Sequence, residues 1–394
     1  MTTTTTTIHL PKSRQITEES VEKLNYLEQH SDISNIIALP DFANDGIALS
    51  GLVFQSQDTL FPMGAGFDIG CGFSTFLIPK DVIDTQINRL TQEFSSFAST
   101  LIGSNSCTAI SQEDIKVLWN EPDAWLSSRG ISSNITKSLD FDNERPTSFS
   151  LENSVMSFGR IPKGNHFLEI RRISNILNKS DSSKLGINEG DYILHIHAGA
   201  GYFTEKSFIE YLSKFAANQT SPFDTHGYEI HLPLEHEVSK DYLSDAVRSM
   251  NFAIANREIL AQQVANWLQH PINKLFENMH DKLEIQGNKI NYQKAAQTYE
   301  ELNNLQIAML PSTINQDSFL VKGTGAFEYL NHGTGDGEGG TLASLDGLLT
   351  NLTETPKRLF YSMEECYQYA IDKNWFTPIC KIQPWLSIKN NGKW

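Results

Sequence analysis

Two kinds of segment in this sequence could do chemistry: glycine-rich turns carrying a carboxylate, thiol or imidazole, and short apolar runs interrupted by histidine. In GAGFDIGCG, residues 64–72, Asp68 and Cys71 stand three apart among four glycines. Glycine permits turns that gather side chains and backbone N–H groups at one point. The pair could therefore share a borderline-soft divalent metal, or the segment is a tight turn around a buried, inert cysteine. In KGNHFLEI, residues 163–170, an extended chain puts His166 and Leu168 on one side and Phe167 and Glu169 on the other. Asn165 and Glu169 need polar partners there if buried; a solvated edge strand is the plainer reading.

In ILHIHAGAGYF, His195 and His197 fall on one face of a strand just before a glycine-rich turn. That spacing suits two ligands of one metal, one ligand per site, or simply a cross-strand aromatic position. His226, His231 and His236 lie five apart, match neither helix nor strand, and read as loop and surface histidines. NHGTGDGEGG, residues 331–340, sets His332 in a loop with five glycines. Such a loop can hold a phosphate on its N–H groups beside an accessible imidazole able to act as nucleophile, acid or base, or it is only flexible. No GK[ST] follows, so it is not a P-loop.

The elements that position these groups are legible in outline. Residues 17–30 read as a helix capped by Thr17, with Glu18 and Glu19 in its first turn. From Asn35, short apolar runs punctuated by Gly, Pro and Asp have the grammar of strands and turns. Residues 82–102 return to helical spacing, and 103–160 are Ser- and Asn-rich without a clear assignment. A strand block covers 166–203, a long helix 238–268, and a hairpin 283–292 about a Gly-Asn turn. Strand, turn, strand and a glycine-rich loop fill 307–340, and a late helix covers 353–371. The threonine run at 2–7 is low complexity, so residues 1–16 are expected to be a disordered N-terminus.

Lys plus Arg is 31 against 47 Asp plus Glu, a net charge of −16, which argues against coating nucleic acid or membrane by bulk charge but leaves room for a local basic cleft. No apolar run approaches the roughly 18–20 residues of a membrane span. The first residues lack a secretory pattern, and Cys71, Cys107, Cys366 and Cys380 form no CxxC pair, so a reducing cytoplasm is the expected location. With no repeat or clean linker, the most economical fold is α+β: one large domain over 17–394, with a mixed or antiparallel β-sheet core surrounded by helices.

The motifs in order, ALPDFANDGIALSGLV, MGAGFDIGCGF, KGNHFLEI, IHAGAG, SMNFAIANRE, MHDKLEIQGNKINYQKAA, LPSTINQDSFLVKG, NHGTG and WLSIK, resemble the RtcB-type RNA ligase family over roughly residues 35–389. That resemblance implies a GTP- and manganese-dependent enzyme joining RNA 2′,3′-cyclic phosphate or 3′-phosphate ends to 5′-hydroxyl ends. It implies two Mn2+ ions, with Cys71 bridging them and Asp68, His166, His197 and His280 as the other ligands; His270 competes with His280. It makes His332 the nucleophile that carries GMP, with Gly333 and Gly335 beside it. Asn165 and Glu169 match positions contacting nucleotide phosphate and guanine. Asn251, Asn256 and Arg257 match a block lining the same cleft, Thr313 and Ser318 a loop over the guanine, and Lys389 a lysine reaching the nucleotide. The implied partners are GTP and the ends of tRNA or other cleaved RNA, with no membrane; whether a protein partner or activator takes part is left open.

The chain departs from the family pattern at Ala43 for a histidine, at Ala198, Ala200 and Gly201 in the HxGxRG motif, at Asp336 for an arginine, and at Gln293, Lys294, Ala295 and Ala296 for RKGA. Two further functions therefore stand beside the ligase: a guanylyltransferase-like enzyme on another phosphorylated substrate, and a metal-binding relative without ligase activity.

Overall fold

β-Branched threonine favours extended backbone, and part of the threonine run is a strand. In the computed structural model, which describes residues 4–12, 14–44, 48–102, 110–131, 144–219, 227–312, 316–332 and 363–390, β1 (Thr5–Ile8) pairs in parallel with β2 (Ile33–Asn44). The expectation of a disordered segment over 1–16 is corrected at these residues. Their backbone completes the edge of a sheet, and Thr4 Oγ1 donates to the Ile33 carbonyl at 2.8 Å. The sheet has five strands in the order β1, β2, β3 (Leu49–Gln57), β11 (Lys289–Lys294), β10 (Lys282–Gln286). Its remaining pairs are antiparallel, and β10 and β11 form the expected hairpin about Gly287, at φ +64°, and Asn288.

The second sheet carries the chemistry. Its eight strands are antiparallel throughout, in the order β13 (Glu300–Leu302), β14 (Leu305–Leu310), β15 (Ser318–Gly323), β17 (Phe376–Lys389), β6 (Phe167–Ile176), β7 (Tyr192–Ala198), β5 (Gly72–Ile78), β9 (Asn273–Met279). Two small ladders, β4 (Thr59–Leu60) with β8 (Leu232–Pro233) and β12 (Ala296–Thr298) with β16 (Tyr329–Asn331), tie loops to the sheets.

Strand alternation decides what each face of this sheet does. Phe76, Ile78, Leu168, Ile170, Leu194 and Ile196 pack on helices α3 (Ile87–Ile102) and α9 (Glu237–Leu268) in one apolar core. The residues between them, Phe73, Thr75, Phe167, Glu169, His195 and His197, are paired across β5, β7 and β6 on the opposite face. α9 matches the expected helix to within a residue at its start and is buried along most of its length. α1 (Glu18–Gln29) begins as expected, with Thr17 Oγ1 accepting from Ser20 N at 3.2 Å.

The unassigned region 103–160 contains α4 (Gln112–Asn120), α5 (Pro122–Ser127) and α6 (Leu151–Ser157); α2 (Lys80–Asp84) and α7 (Lys179–Leu185) are short connectors. Their start signals were present: Ser111 and Asp114 form a reciprocal capping box, and Pro122 opens α5. α8 (Tyr202–Ala217) follows the HAGAG turn, and α10 (Met363–Asp372) is the later part of the expected 353–371 helix, whose first ten residues lie outside the described residues.

Candidate metal centre and nucleotide site

The Asp68–Cys71 segment is a tight turn, closed by Cys71 N donating to the Asp68 carbonyl at 2.9 Å. Gly70, at φ +93°, lies so close to α9 that a Cβ would stand 2.7 Å from Met250 Cα. The turn is held from several sides. Ser249 Oγ donates to the Ile69 carbonyl at 2.6 Å, and Gly70 N donates to the Asp281 carbonyl at 2.7 Å. The Cys71 carbonyl accepts from His280 N at 3.0 Å and Asp281 N at 3.2 Å. His280 and Asp281 lie between β9 and β10 and are thereby brought beside the turn. The fully buried Arg257 binds the Gly70 carbonyl at 2.8 Å, the Ala198 carbonyl at 2.5 Å and Glu277 Oε1 at 2.7 Å, joining the turn to the end of β7.

His197 arrives by register, opposite both Phe73 and Phe167. His166 does not. Strand alternation would put it with Leu168 against the helices, but β6 begins only at Phe167, after Gly164 at φ +90°. The turn swings the imidazole to the other face, where Nδ1 donates to the Lys163 carbonyl at 2.7 Å. Asp68 is cradled by the HAGAG turn: Ala200 N donates to its Oδ1 at 3.2 Å, and a Cβ on Gly199 would stand 2.2 Å from that oxygen.

Six donor groups converge here. Cys71 Sγ is 3.2 Å from both His166 Nε2 and His197 Nε2, and Asp68 Oδ2 is 2.8 Å from His166 Nε2. His280 Nε2 is 3.2 Å from His197 Nε2, and His332 Nε2 is 3.1 Å from His280 Nε2 and 3.4 Å from His197 Nε2. The Phe73 ring lies against His195, His197, His280 and His332, with centroids 4.5–5.3 Å away.

Burial pushes His197 and His280 well below the ordinary imidazole value, with neighbouring imidazole charge adding to it. Burial, then the charges of Lys294 and His166, push His332 down to about 3. Burial, with Asp68 and Asp281 nearby, pushes the Cys71 thiol well up. Burial alone would raise Asp68, but its hydrogen bond to His166 and the charges of His166 and Lys294 outweigh that and hold it low.

This donor set fits a divalent cation. With its Nδ1–H donated to the Lys163 carbonyl, His166 turns Nε2 toward Asp68 and Cys71. Three neutral imidazoles have one N–H each, yet their Nε2 atoms approach one another while His197 and His280 Nδ1 have no partner. A cation relieves these opposed lone pairs and stabilises the thiolate.

Of the remaining expected residues, Glu169 and Lys389 share the site face, since Phe167 faces Lys389 and Glu169 faces Ser387. Glu169 binds Arg171 Nε at 2.5 Å and Ser387 Oγ at 2.9 Å. Asn165 precedes His166 and is half-buried, and Ser318 opens β15 as a buried hydroxyl with no hydrogen-bond partner. Thr313, Gly333, Gly335 and Asp336 lie outside the described residues.

Two asparagines are engaged elsewhere. Asn251 Nδ2 donates to the Trp119 carbonyl at 2.7 Å, in the helical layer. Asn256 binds Gly159 N at 2.7 Å and the carbonyls of Arg160 and Gly199, bracing the turns rather than facing the cluster. His270 is exposed at the end of α9, whereas His280 is in the cluster. His231 is half-buried against Phe61 and His30, and His236 caps α9, so neither is a free surface histidine; His226 lies outside the described residues.

Sequence reasoning missed Asp281, a carboxylate beside Cys71 and His280, bound by Lys294 Nζ at 2.5 Å and Ala295 N at 2.7 Å. Its adjacency to His280 was the available signal. It also missed Phe73 as the floor of the cluster, two residues along the strand from Cys71.

A family model described as tRNA-splicing ligase RtcB matches residues 23–337. The chain belongs to the RtcB family. Among curated members, it is 23% identical over 241 residues to the tRNA-splicing ligase RtcB of Archaeoglobus fulgidus, covering 58% of this chain and 49% of that one. It is 20% identical over 295 residues to the RtcB of Thermococcus kodakarensis, covering 68% and 60%. It is 23% identical over 250 residues to RNA-splicing ligase RtcB homolog 1 of Entamoeba histolytica, covering 58% and 46%. The chain thus spans about half the length of these curated relatives. The RtcB match covers every expected metal ligand and ends beyond His332, leaving outside it β1 of the five-stranded sheet and β17 of the eight-stranded one. No helix among the described residues is long and apolar enough to cross a membrane.

Proposed function

We propose that this chain is an RNA ligase that joins a 2′,3′-cyclic phosphate or 3′-phosphate end to a 5′-hydroxyl end, through GMP carried on His332. The observation supporting this most directly is the position of His332 Nε2, 3.1 Å from His280 Nε2 and 3.4 Å from His197 Nε2. A nucleophile there stands beside a set of cation ligands. Asp68, Cys71 and His166 would hold one manganese ion, and Cys71, His197 and His280 the other. Such a pair, when bound, neutralises triphosphate charge and orients an in-line attack.

The residues of the chain do the rest. Burial keeps His332 neutral at ordinary pH, so its imidazole carries a lone pair that can attack. The new N–P bond forms at the α-phosphorus of GTP as the bond to pyrophosphate breaks. Glu169, Asn165, Ser318 and Thr313 orient the guanine and phosphates, Lys389 supplies positive charge, Asn256 acts through the turns it braces, and Asn251 through its bond to α4. Water opens a cyclic end to a 3′-phosphate, whose oxygen takes GMP from His332 and releases the imidazole. The 5′-hydroxyl then attacks that activated phosphate, and GMP leaves.

Intact-mass analysis of the manganese-loaded chain with GTP tests this. A GMP adduct on the His332 peptide, acid-labile and base-stable, absent in His332→Ala and lost on RNA joining, is expected. Gly201 and Asp336 at arginine positions favour the second reading, a guanylyltransferase on another phosphorylated substrate, and an adduct without RNA joining selects it. No adduct with a filled metal site removes both and leaves a metal-binding relative.

A further inference from the structure

One face of the five-stranded sheet is apolar; the other carries a polar row beside a small apolar patch of Leu39, Val53 and Ala296. Phe54, Ile290, Tyr292 and Leu283 turn into the core. The alternate residues form a row of side chains on the other face, with Asn35 opposite Gln55, Gln55 opposite Asn291 and Asn291 opposite Glu284. Gln55 Nε2 donates to Asn291 Oδ1 at 2.8 Å, and Ser34 Oγ donates to Gln55 Oε1 at 3.1 Å, which sets the row in place. Thr298 of β12 and Tyr329 of β16, with Glu328, wall this face into a cleft of about 350 Å³.

Gln293, 4% exposed, lines the cleft, and its Oε1 has no hydrogen-bond partner. A buried acceptor without a partner costs about 1–3 kcal/mol, which a ligand donating to it would relieve. Two acids, Glu284 and Glu328, face one base, Lys282, which is already paired to Glu284 at 2.7 Å. The lining is therefore net negative and repels phosphate. What fits is a neutral ring with hydrogen-bonding edges and an aromatic face for Tyr329.

The cleft adjoins the cluster by chain connection on two sides. Tyr329 starts the strand that ends immediately before His332, and Gln293 precedes Lys294, whose ammonium binds Asp281 beside His280.

We propose that this cleft receives one base of the RNA strand whose end is joined, its edge on the Gln293 amide and its face on Tyr329; this rests on the RNA-ligase reading. It places base recognition, rather than phosphate charge, in the grip on the strand.

The test measures binding of a fluorescent single-stranded RNA bearing a 3′-phosphate to the full chain, to Gln293→Met and to Tyr329→Leu, with GMP labelling of His332 followed in parallel. Gln293→Met should weaken RNA binding about 10-fold and Tyr329→Leu roughly 5- to 100-fold, as loss of a stacked base does. GMP labelling should be unchanged in both. An abasic site walked along the strand should weaken binding to the unmodified chain at one position and have a smaller effect there in Gln293→Met, which keeps only the Tyr329 stack. RNA affinity within about twofold of the unmodified chain in both variants, or additive effects at every abasic position, overturns the proposal. So does loss of GMP labelling, which would make the cleft a site for the guanine of GTP. If the unmodified chain takes no GMP, the ligase reading fails separately, and the RNA affinities of the variants still decide the cleft. If it binds no RNA, the cleft proposal fails.

Discussion

Replacing Arg257 by Met keeps an unbranched apolar stem and removes the guanidinium with its charge and its donors. The guanidinium is fully buried, and it binds two backbone carbonyls, Gly70 and Ala198, and the Glu277 carboxylate. Glu277 keeps Lys274 at 3.4 Å and Ser74, so its charge is only partly stranded. Breaking a buried ion pair from one side costs about 3–5 kcal/mol. The retained lysine brings the carboxylate's share to the lower end, and the two orphaned carbonyls add about 1–3 kcal/mol each. A loss of roughly 5–9 kcal/mol follows from these terms. Because Gly70 lies in the turn of Asp68 and Cys71, and Ala198 follows His197, manganese affinity should also fall, by about 10–100-fold, as for other groups that orient metal ligands. Arg257→Lys restores the charge without the fork and should recover part of the stability but little of the metal affinity. Urea unfolding of the metal-free chain and calorimetric manganese titration read the two quantities separately. A metal-free Arg257→Met chain within about 1 kcal/mol of the unmodified one, binding manganese as tightly, would refute the reasoning.

Cys71→Ala should abolish binding of both ions, whereas His166→Ala should leave one, measured by metal content after dialysis; one ion retained by Cys71→Ala counts against a bridging thiolate. Asp336→Arg should tighten binding of 3′-phosphorylated RNA and steepen its salt dependence, because it replaces a repelling charge with a phosphate-matching fork; unchanged affinity counts against that role. His195 and His332 are pushed to about 3 when folded, by burial first, and titrate near 6.5 when unfolded. Between those values the unfolded chain binds more protons. The metal-free chain should therefore have its full stability above about pH 6.5 and lose it as the pH falls toward 3. Unfolding midpoints that stay level from neutrality to pH 5 would refute this.

Much of the site was legible because its groups are carried by local signals. A carboxylate and a thiol among glycines, two histidines on one strand face and a histidine before a glycine run are visible at spacings of two or three residues. The α9 helix and the β10–β11 hairpin were legible for the same reason, since capping, periodicity and a Gly-Asn turn act over a few residues. The threonine run misled because low complexity describes composition, whereas a sheet edge needs only extended backbone, which threonine favours. The 103–160 region was opaque because its helices are short and their apolar residues are spent on a core made with α9.

Sequence alone determined the residue types and their order, and with them membership of the RtcB family and the choice of donors available to a metal. Tertiary structure decided which donors meet. His280 rather than His270 joins Cys71 because its backbone N–H bonds the Cys71 carbonyl, a contact across more than two hundred residues of chain. His166 reaches the cluster only because a left-handed Gly164 reverses its expected side. Asn256 turns out to brace the Gly199 turn, and Arg257 to join two ligand segments, since a buried polar group must find partners wherever the fold provides them. Such pairings are set by the packing of α9 against both sheets, and no local spacing encodes them.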